Sequence, residues 1–165
     1  MTPYSEVFNS FRNLIIRDTT FLIKNPNQDI VKQVSEKRMV DLLRHAITNM
    51  MLVKDNKDFE INFMSIRDDE LMQFKEQLND FEVDILAYFM WQCYIEEEVV
   101  TRLKSLKTLG FSDDEIKSFS PAESMKQFNN SLDKLKSENV RKVKEYKRRN
   151  RDTFKYKRFD YNFGM

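Results

Sequence analysis

Apolar side chains at Val7, Phe8, Phe11, Leu14 and Ile15 recur three and four residues apart. That spacing lines one face of a helix, so residues 4–17 are predicted as a first amphipathic helix with Ser5 placed to cap it. Asn25-Pro26-Asn27 breaks the pattern, because the residue before a proline is pushed out of the helical region. A helical period resumes over 29–52, from Ile30 and Val31 through Leu42, Leu43 and Ile47 to Met51, as one bent helix or two short ones. The lone His45 lies among these apolar neighbours and is read as a structural histidine, since the sequence supplies no partners for a metal site or a nucleophile dyad.

From Lys54 to Leu78 the helical signal weakens. Phe59-Glu60-Ile61-Asn62-Phe63 alternates apolar and polar as a half-buried strand or extended arm would, so 54–78 is expected to be irregular with at most a short hairpin. Asn79 and Asp80 can accept hydrogen bonds from a first helical turn that also carries Glu82, and a helix is predicted over about 81–109. Between Ile85 and Ile95 that helix has no polar face, so it must be covered on every side. In a small domain part of that cover is expected from a sister copy, with Tyr88, Trp91, Tyr94 and Ile95 as candidate packing residues between subunits.

A last helix is predicted over about 121–149, with Pro121 at a tolerated first-turn position and a narrow seam of Met125, Phe128, Leu132 and Leu135. Beyond Asn150, cations and rings interleave without a period. Residues 150–165 are therefore read as an extended tail that orders on a partner, apart from a domain spanning 1–149. The expected class is all-α: a small helical bundle with a long central apolar helix, a short irregular or hairpin segment around 54–78, and an extended basic-aromatic C-terminal tail.

Composition agrees with that class. Of 165 residues 41% are hydrophobic, with 14 Phe and 9 Met, while Gly and Pro number only 2 and 3; the chain can build one core but has few residues suited to tight turns. The single Cys93 forms no internal disulfide and sits in an apolar run, so folding in a reducing compartment is expected. Met1-Thr2-Pro3-Tyr4 opens without a basic region followed by an apolar one, and no apolar stretch reaches the ~20 residues that cross a bilayer. A soluble product with no membrane partner is expected.

The net charge of +1 conceals an asymmetry. Residues 121–165 hold 13 Lys and Arg against 6 Asp and Glu, a net +7, which leaves −6 for residues 1–120. Such a dipolar layout suits head-to-tail docking of copies or an anionic partner at one end. No catalytic constellation is present: the chain has one His, one Cys, no Gly-rich phosphate loop, no serine elbow and no Cys/His spacing for zinc. The acidic runs Asp68-Asp69-Glu70, Glu96-Glu97-Glu98 and Asp113-Asp114-Glu115 fan out over different faces if helical, and read as solvated or docking surface in preference to a metal site. Neither enzyme activity nor a cofactor is expected.

The C-terminal cations are the main functional candidates: Arg141, Lys142, Lys144, Lys147, Arg148, Arg149, Arg151, Lys155, Lys157 and Arg158, a net +8 over 141–158 once Glu145 and Asp152 are counted. Five rings follow from Phe154 onward, at Phe154, Tyr156, Phe159, Tyr161 and Phe163. Rings are costly to leave in water, which favours a groove on another protein. Cations neutralising phosphates and rings stacking on bases keep a nucleic-acid-binding or DNA-packaging accessory role open as the alternative.

Arg67-Asp68-Asp69-Glu70-Leu71, Gln73-Phe74, and Leu78-Asn79-Asp80, Glu82 and Ile85-Leu86-Ala87 together resemble the neck proteins of tailed bacteriophages, the head–tail adaptors or connectors of the head-completion family. The likeness extends more loosely from the opening Thr2-Pro3-Tyr4 to the basic last helix, and departs from the family pattern in the Glu96-Glu97-Glu98 run, the acidic 112–115 linker and a longer tail. The resemblance implies a virion protein, made in the host cytoplasm, whose helical subunits form a ring, commonly twelve-fold, beneath the portal protein. Such a ring meets a downstream neck or tail protein on its other face and leaves a channel for genomic DNA. Carried onto this chain, it implies that Phe154, Tyr156, Phe159, Tyr161 and Phe163 anchor to the portal. It also implies that Lys147, Arg148, Arg149 and Arg151, with the neighbouring cations, meet acidic portal surface or face the channel.

Overall fold

A computed structural model of the chain describes residues 1–17, 36–55, 58–108 and 121–157. Its elements run β1 (Thr2–Pro3), α1 (Tyr4–Arg17), α2 (Glu36–Met51), β2 (Arg67–Asp68), β3 (Gln73–Phe74), α3 (Asp80–Thr108) and α4 (Pro121–Lys147). The chain is mostly helical with one small sheet, so the all-α expectation holds at that coarse level. The predicted break at 25–27 and the start of the 29–52 helix lie outside the described residues.

The apolar stripe of α1 closes the core with Val7, Phe8, Phe11 and Ile15 buried. Ser5 does not cap it, because the helix starts one residue earlier. The first amide, Tyr4 N–H, donates instead to the Met72 carbonyl at 2.8 Å, so a distant hairpin satisfies a group that a side-chain cap usually would. In α2, Met39, Leu42, Leu43, Ala46, Ile47 and Met50 are buried, and each of the larger side chains contributes roughly 1.5–3 kcal/mol relative to exposure. His45 is not among them. It faces outward, with Nδ1 3.8 Å from the Glu97 carboxylate; position 45 falls outside the apolar stripe once the helical turn is imposed.

Within 54–78 the hairpin is real and gains a third strand. β3 pairs antiparallel with both β2 and β1, in the order β1-β3-β2, so Thr2 lies opposite Phe74. The Thr2 hydroxyl accepts the buried Leu78 amide at 2.7 Å, tying the N-terminus to the entry of α3. Phe59 to Phe63 forms no strand. Ile61 and Phe63 are buried while Glu60 and Asn62 are exposed, so the alternation marks burial without a ladder. Asn62 starts a turn instead, its carbonyl accepting from Ser65 N–H at 3.0 Å.

A reciprocal cap opens α3: Asn79 Oδ1 accepts from Glu82 N–H at 2.9 Å, and Glu82 Oε2 accepts from Asn79 N–H at 2.8 Å, an arrangement worth about 1 kcal/mol. The helix then buries Ile85, Leu86, Ala87, Phe89, Met90 and Cys93 against α1 and α2. Burial pushes the Cys93 thiol up to about 12. Much of the cover for this helix comes from the same chain, because α1, α2 and α4 pack against it. Ile95 is buried with Leu132 and Leu135, and Tyr88, Trp91 and Tyr94 pack half-buried on that second cluster.

Residues 148–157 also depart from expectation. They double back, with Arg149 bridged to Tyr156, the Asn150 amide donating to the Lys155 carbonyl at 2.7 Å and the Lys157 amide to the Arg148 carbonyl at 2.8 Å. Phe154 turns the loop in the left-handed region at φ 54°. An aperiodic sequence thus folds onto the body through side-chain pairing that periodicity does not register.

Candidate docking surface

Helix α4 divides its residues by face. Leu132, Leu135, Asn139, Val143 and Tyr146 recur every three or four residues and are buried. About half a turn round, Ser137, Arg141 and Lys144 repeat the same spacing on the opposite side, and Arg148 continues it just past the helix end. Together with Val140, Glu145 and Tyr156 they line an open groove of about 480 Å³.

On the inner side, Asn139 Nδ2 donates to Gln92 Oε1 at 2.9 Å and to the Tyr88 carbonyl at 3.3 Å, a buried polar pair suited to fixing the register of α3 against α4. Lys136 adds an ion pair to Glu96 at 2.9 Å. Farther along, Glu82 has no exposed side-chain surface and collects three donors. These are the Asn79 amide, the Tyr146 hydroxyl and Arg151, whose Nε lies 2.7 Å from Oε1. Arg151 also donates to the Gln77 carbonyl. Burial and the bond to Glu82 push the Tyr146 hydroxyl far above its ordinary range, while the hydrogen bond to Glu82 raises Arg151. A buried carboxylate is tolerable only with such full pairing.

The predicted cations therefore have different roles. Lys147 is buried, its ammonium donating to the Val53 carbonyl at 2.9 Å and lying 4.4 Å over the Phe59 ring. Lys142 lies 3.0 Å over Tyr88, and burial pulls its ammonium below the usual lysine range. Arg149 is paired to Glu145 and sandwiched between Phe154 and Tyr156, 4.5 and 4.6 Å from their centroids. Lys157 reaches Glu60 at 2.7 Å and holds that carboxyl below its ordinary range. Arg148 stays half exposed beside Asp55 at 3.8 Å. Arg141 and Lys155 are exposed and Lys144 is half-buried in the groove.

Of the predicted ring anchors, Phe154 packs edge-on against Phe81 at 5.0 Å and so serves the body. Tyr156 is 63% exposed. Arg158, Phe159, Tyr161 and Phe163 lie outside the described residues, as does the acidic run at 113–115. The structure thus brings Arg141, Lys144, Arg148 and Tyr156 together, and separates from them Lys142, Lys147, Arg151 and Phe154.

Two other acidic runs have partners of their own. Asp69 accepts from the Tyr4 hydroxyl at 2.7 Å, from Arg44 at 2.8 Å and from Arg67. Arg67 above all holds this carboxyl well below the usual carboxylate range, while burial and the Asp69 bond push Tyr4 up to about 12. Glu97 meets Arg38 at 3.5 Å. Among the described residues no three His, Cys, Asp or Glu side chains converge as a metal site requires, and no helix is long and apolar enough to cross a membrane.

Sequence reasoning missed Glu82, Glu60 and Asp55 as internal partners of the cations. Asn79 followed three residues later by Glu82 is a capping-box signature and could have placed Glu82. Nothing local points from Glu82 to Arg151. No protein-family model, curated protein or solved structure matches the chain.

Proposed function

We propose that the chain is a structural subunit of the head–tail neck of a tailed bacteriophage. Copies assemble as a ring, twelve-fold as is common in the family it resembles, that docks on the portal protein. The other face of the ring meets the next neck or tail component, and DNA passes through the centre. The observation that carries this reading is the root of the C-terminal segment. Arg151 and Lys157 are clamped to Glu82 and Glu60, so the chain up to residue 157 is held at a fixed point on the body. A docking strand delivered from a fixed point loses less entropy on binding, and many copies in a ring add their modest contacts as avidity.

The residues that carry the family resemblance support the same reading. Asp69 and Glu82 each organise three donors, as residues that define a shared fold would. A nucleic-acid role would draw on the same cations, but Lys147, Arg149, Arg151 and Lys157 face carbonyls or carboxylates of their own body, which leaves fewer for phosphates.

Native mass measurement of the full chain mixed with its portal protein tests the proposal. Rings on the portal are expected, and they are lost when residues 158–165 are removed. A strict monomer indifferent to portal contradicts it.

A further inference from the structure

The outer groove of α4 is not needed for the fold, because it lies opposite the face that carries Leu135, Val143 and Tyr146. Three cations, Arg141, Lys144 and Arg148, line it over two turns with the side chain of Val140 beside them. The one acid in the groove, Glu145, is already paired with Arg149. Tyr156 forms one wall, 63% exposed and yet fixed. Its backbone is bridged to Arg149, and the Arg149 guanidinium lies 4.6 Å from its ring centroid and donates to its hydroxyl at 3.3 Å. The contacts with Arg149 help hold the returning loop, and a ring held in place while its other face meets water presents a contact surface at low entropic cost.

We infer that this groove is a docking site for an acidic segment of another protein, one whose carboxylates meet Arg141 and Lys144, with Arg148, already beside Asp55 at 3.8 Å, adding to the positive field, and whose apolar side chain lies between Val140 and Tyr156. Charge complementarity and the mixed lining select that occupant. A nucleic-acid strand asks for a longer unbroken row of cations, and here the neighbouring Lys147, Arg149 and Arg151 are committed to the body. The −6 carried by residues 1–120 further disfavours a polyanion extending past the groove. Arg forks take carboxylates in a bidentate geometry, which adds register to attraction. This inference goes beyond the neck reading and stands whether or not copies form a ring.

Fluorescence anisotropy of a labelled Glu-rich decapeptide with a central Leu, titrated with the full-length chain, tests it beside an oligo-dT of equal length. Binding of the peptide is expected to weaken roughly tenfold in Arg141→Glu/Lys144→Glu and several-fold in Tyr156→Ala, but less than about twofold in Lys155→Glu, whose charge lies outside the groove. Circular dichroism of each variant should match the parent. The inference is overturned by no peptide binding, by binding indifferent to Arg141 and Lys144, or by tighter binding of oligo-dT through the same residues. Peptide binding that emerges only after Asp113→Asn/Asp114→Asn would assign the groove to the chain's own acidic linker and overturn it equally.

Discussion

The two sides of α4 carry the same kinds of residue and use them in opposite ways. On the inner side and in the returning loop, Lys147, Arg149 and Arg151 are drawn into the body by Val53, Glu145 and Glu82. On the outer side, Arg141, Lys144 and Arg148 line an open groove. A count of charge along the sequence gives both sets equal weight as docking surface. Burial divides them, because a cation removed from water must be paired, whereas one left in water interacts only weakly with its neighbours.

The largest expected effect falls on the inner set. Arg151→Ala leaves the Glu82 carboxylate buried beside the Tyr146 hydroxyl with its counter-charge gone, and should lower unfolding free energy in urea by about 3–5 kcal/mol. Lys147→Met keeps the packing stem and orphans the Val53 carbonyl, for an expected loss of about 1–3 kcal/mol. On the outer set, Arg141→Glu/Lys144→Glu should change stability by less than about 0.5 kcal/mol. Equal losses on both sides of the helix would erase the distinction.

A pH series sharpens it. The Tyr146 hydroxyl titrates above its ordinary value of 10.0, so the neutral form is favoured in the folded state. Its contribution is complete below pH 10 and is lost as pH rises through the folded value. Tyr4, at about 12, adds the same sign. Asp69 acts oppositely: its carboxyl is depressed from 3.8, so its contribution is present above that pH and fades as acid is added. Urea midpoints should therefore fall at both extremes. Tyr146→Phe should flatten the alkaline limb, and Asp69→Asn the acid limb.

Much of the helical layout was legible, because periodicity reports which face of a local element is buried. Val7, Phe11 and Ile15 on α1, and Leu42, Leu43 and Ile47 on α2, sit where their spacing puts them. What escaped was non-local. Thr2 pairs with Phe74 across the sheet, and Arg151 reaches Glu82 over 69 positions; neither leaves a period in the sequence. His45 was misjudged because apolar neighbours in sequence lie on other faces of the helix. The aromatic tail was misjudged between 150 and 157 because Phe154 has its partner in Phe81, far back in the chain. For the same reason the groove was invisible. It is assembled from one face of α4 and a ring carried to it by a turn.

Amide hydrogen exchange on the full chain, alone and with portal protein, tests the division between body and docking segment most directly. Asn150, Phe154 and Lys157, whose amides donate within the returning loop, should be protected in the free chain and lose that protection in Glu82→Gln, while portal should slow exchange at 158–165. Exchange of those three amides at the rate of an unstructured peptide, with no change on adding portal, would contradict the account.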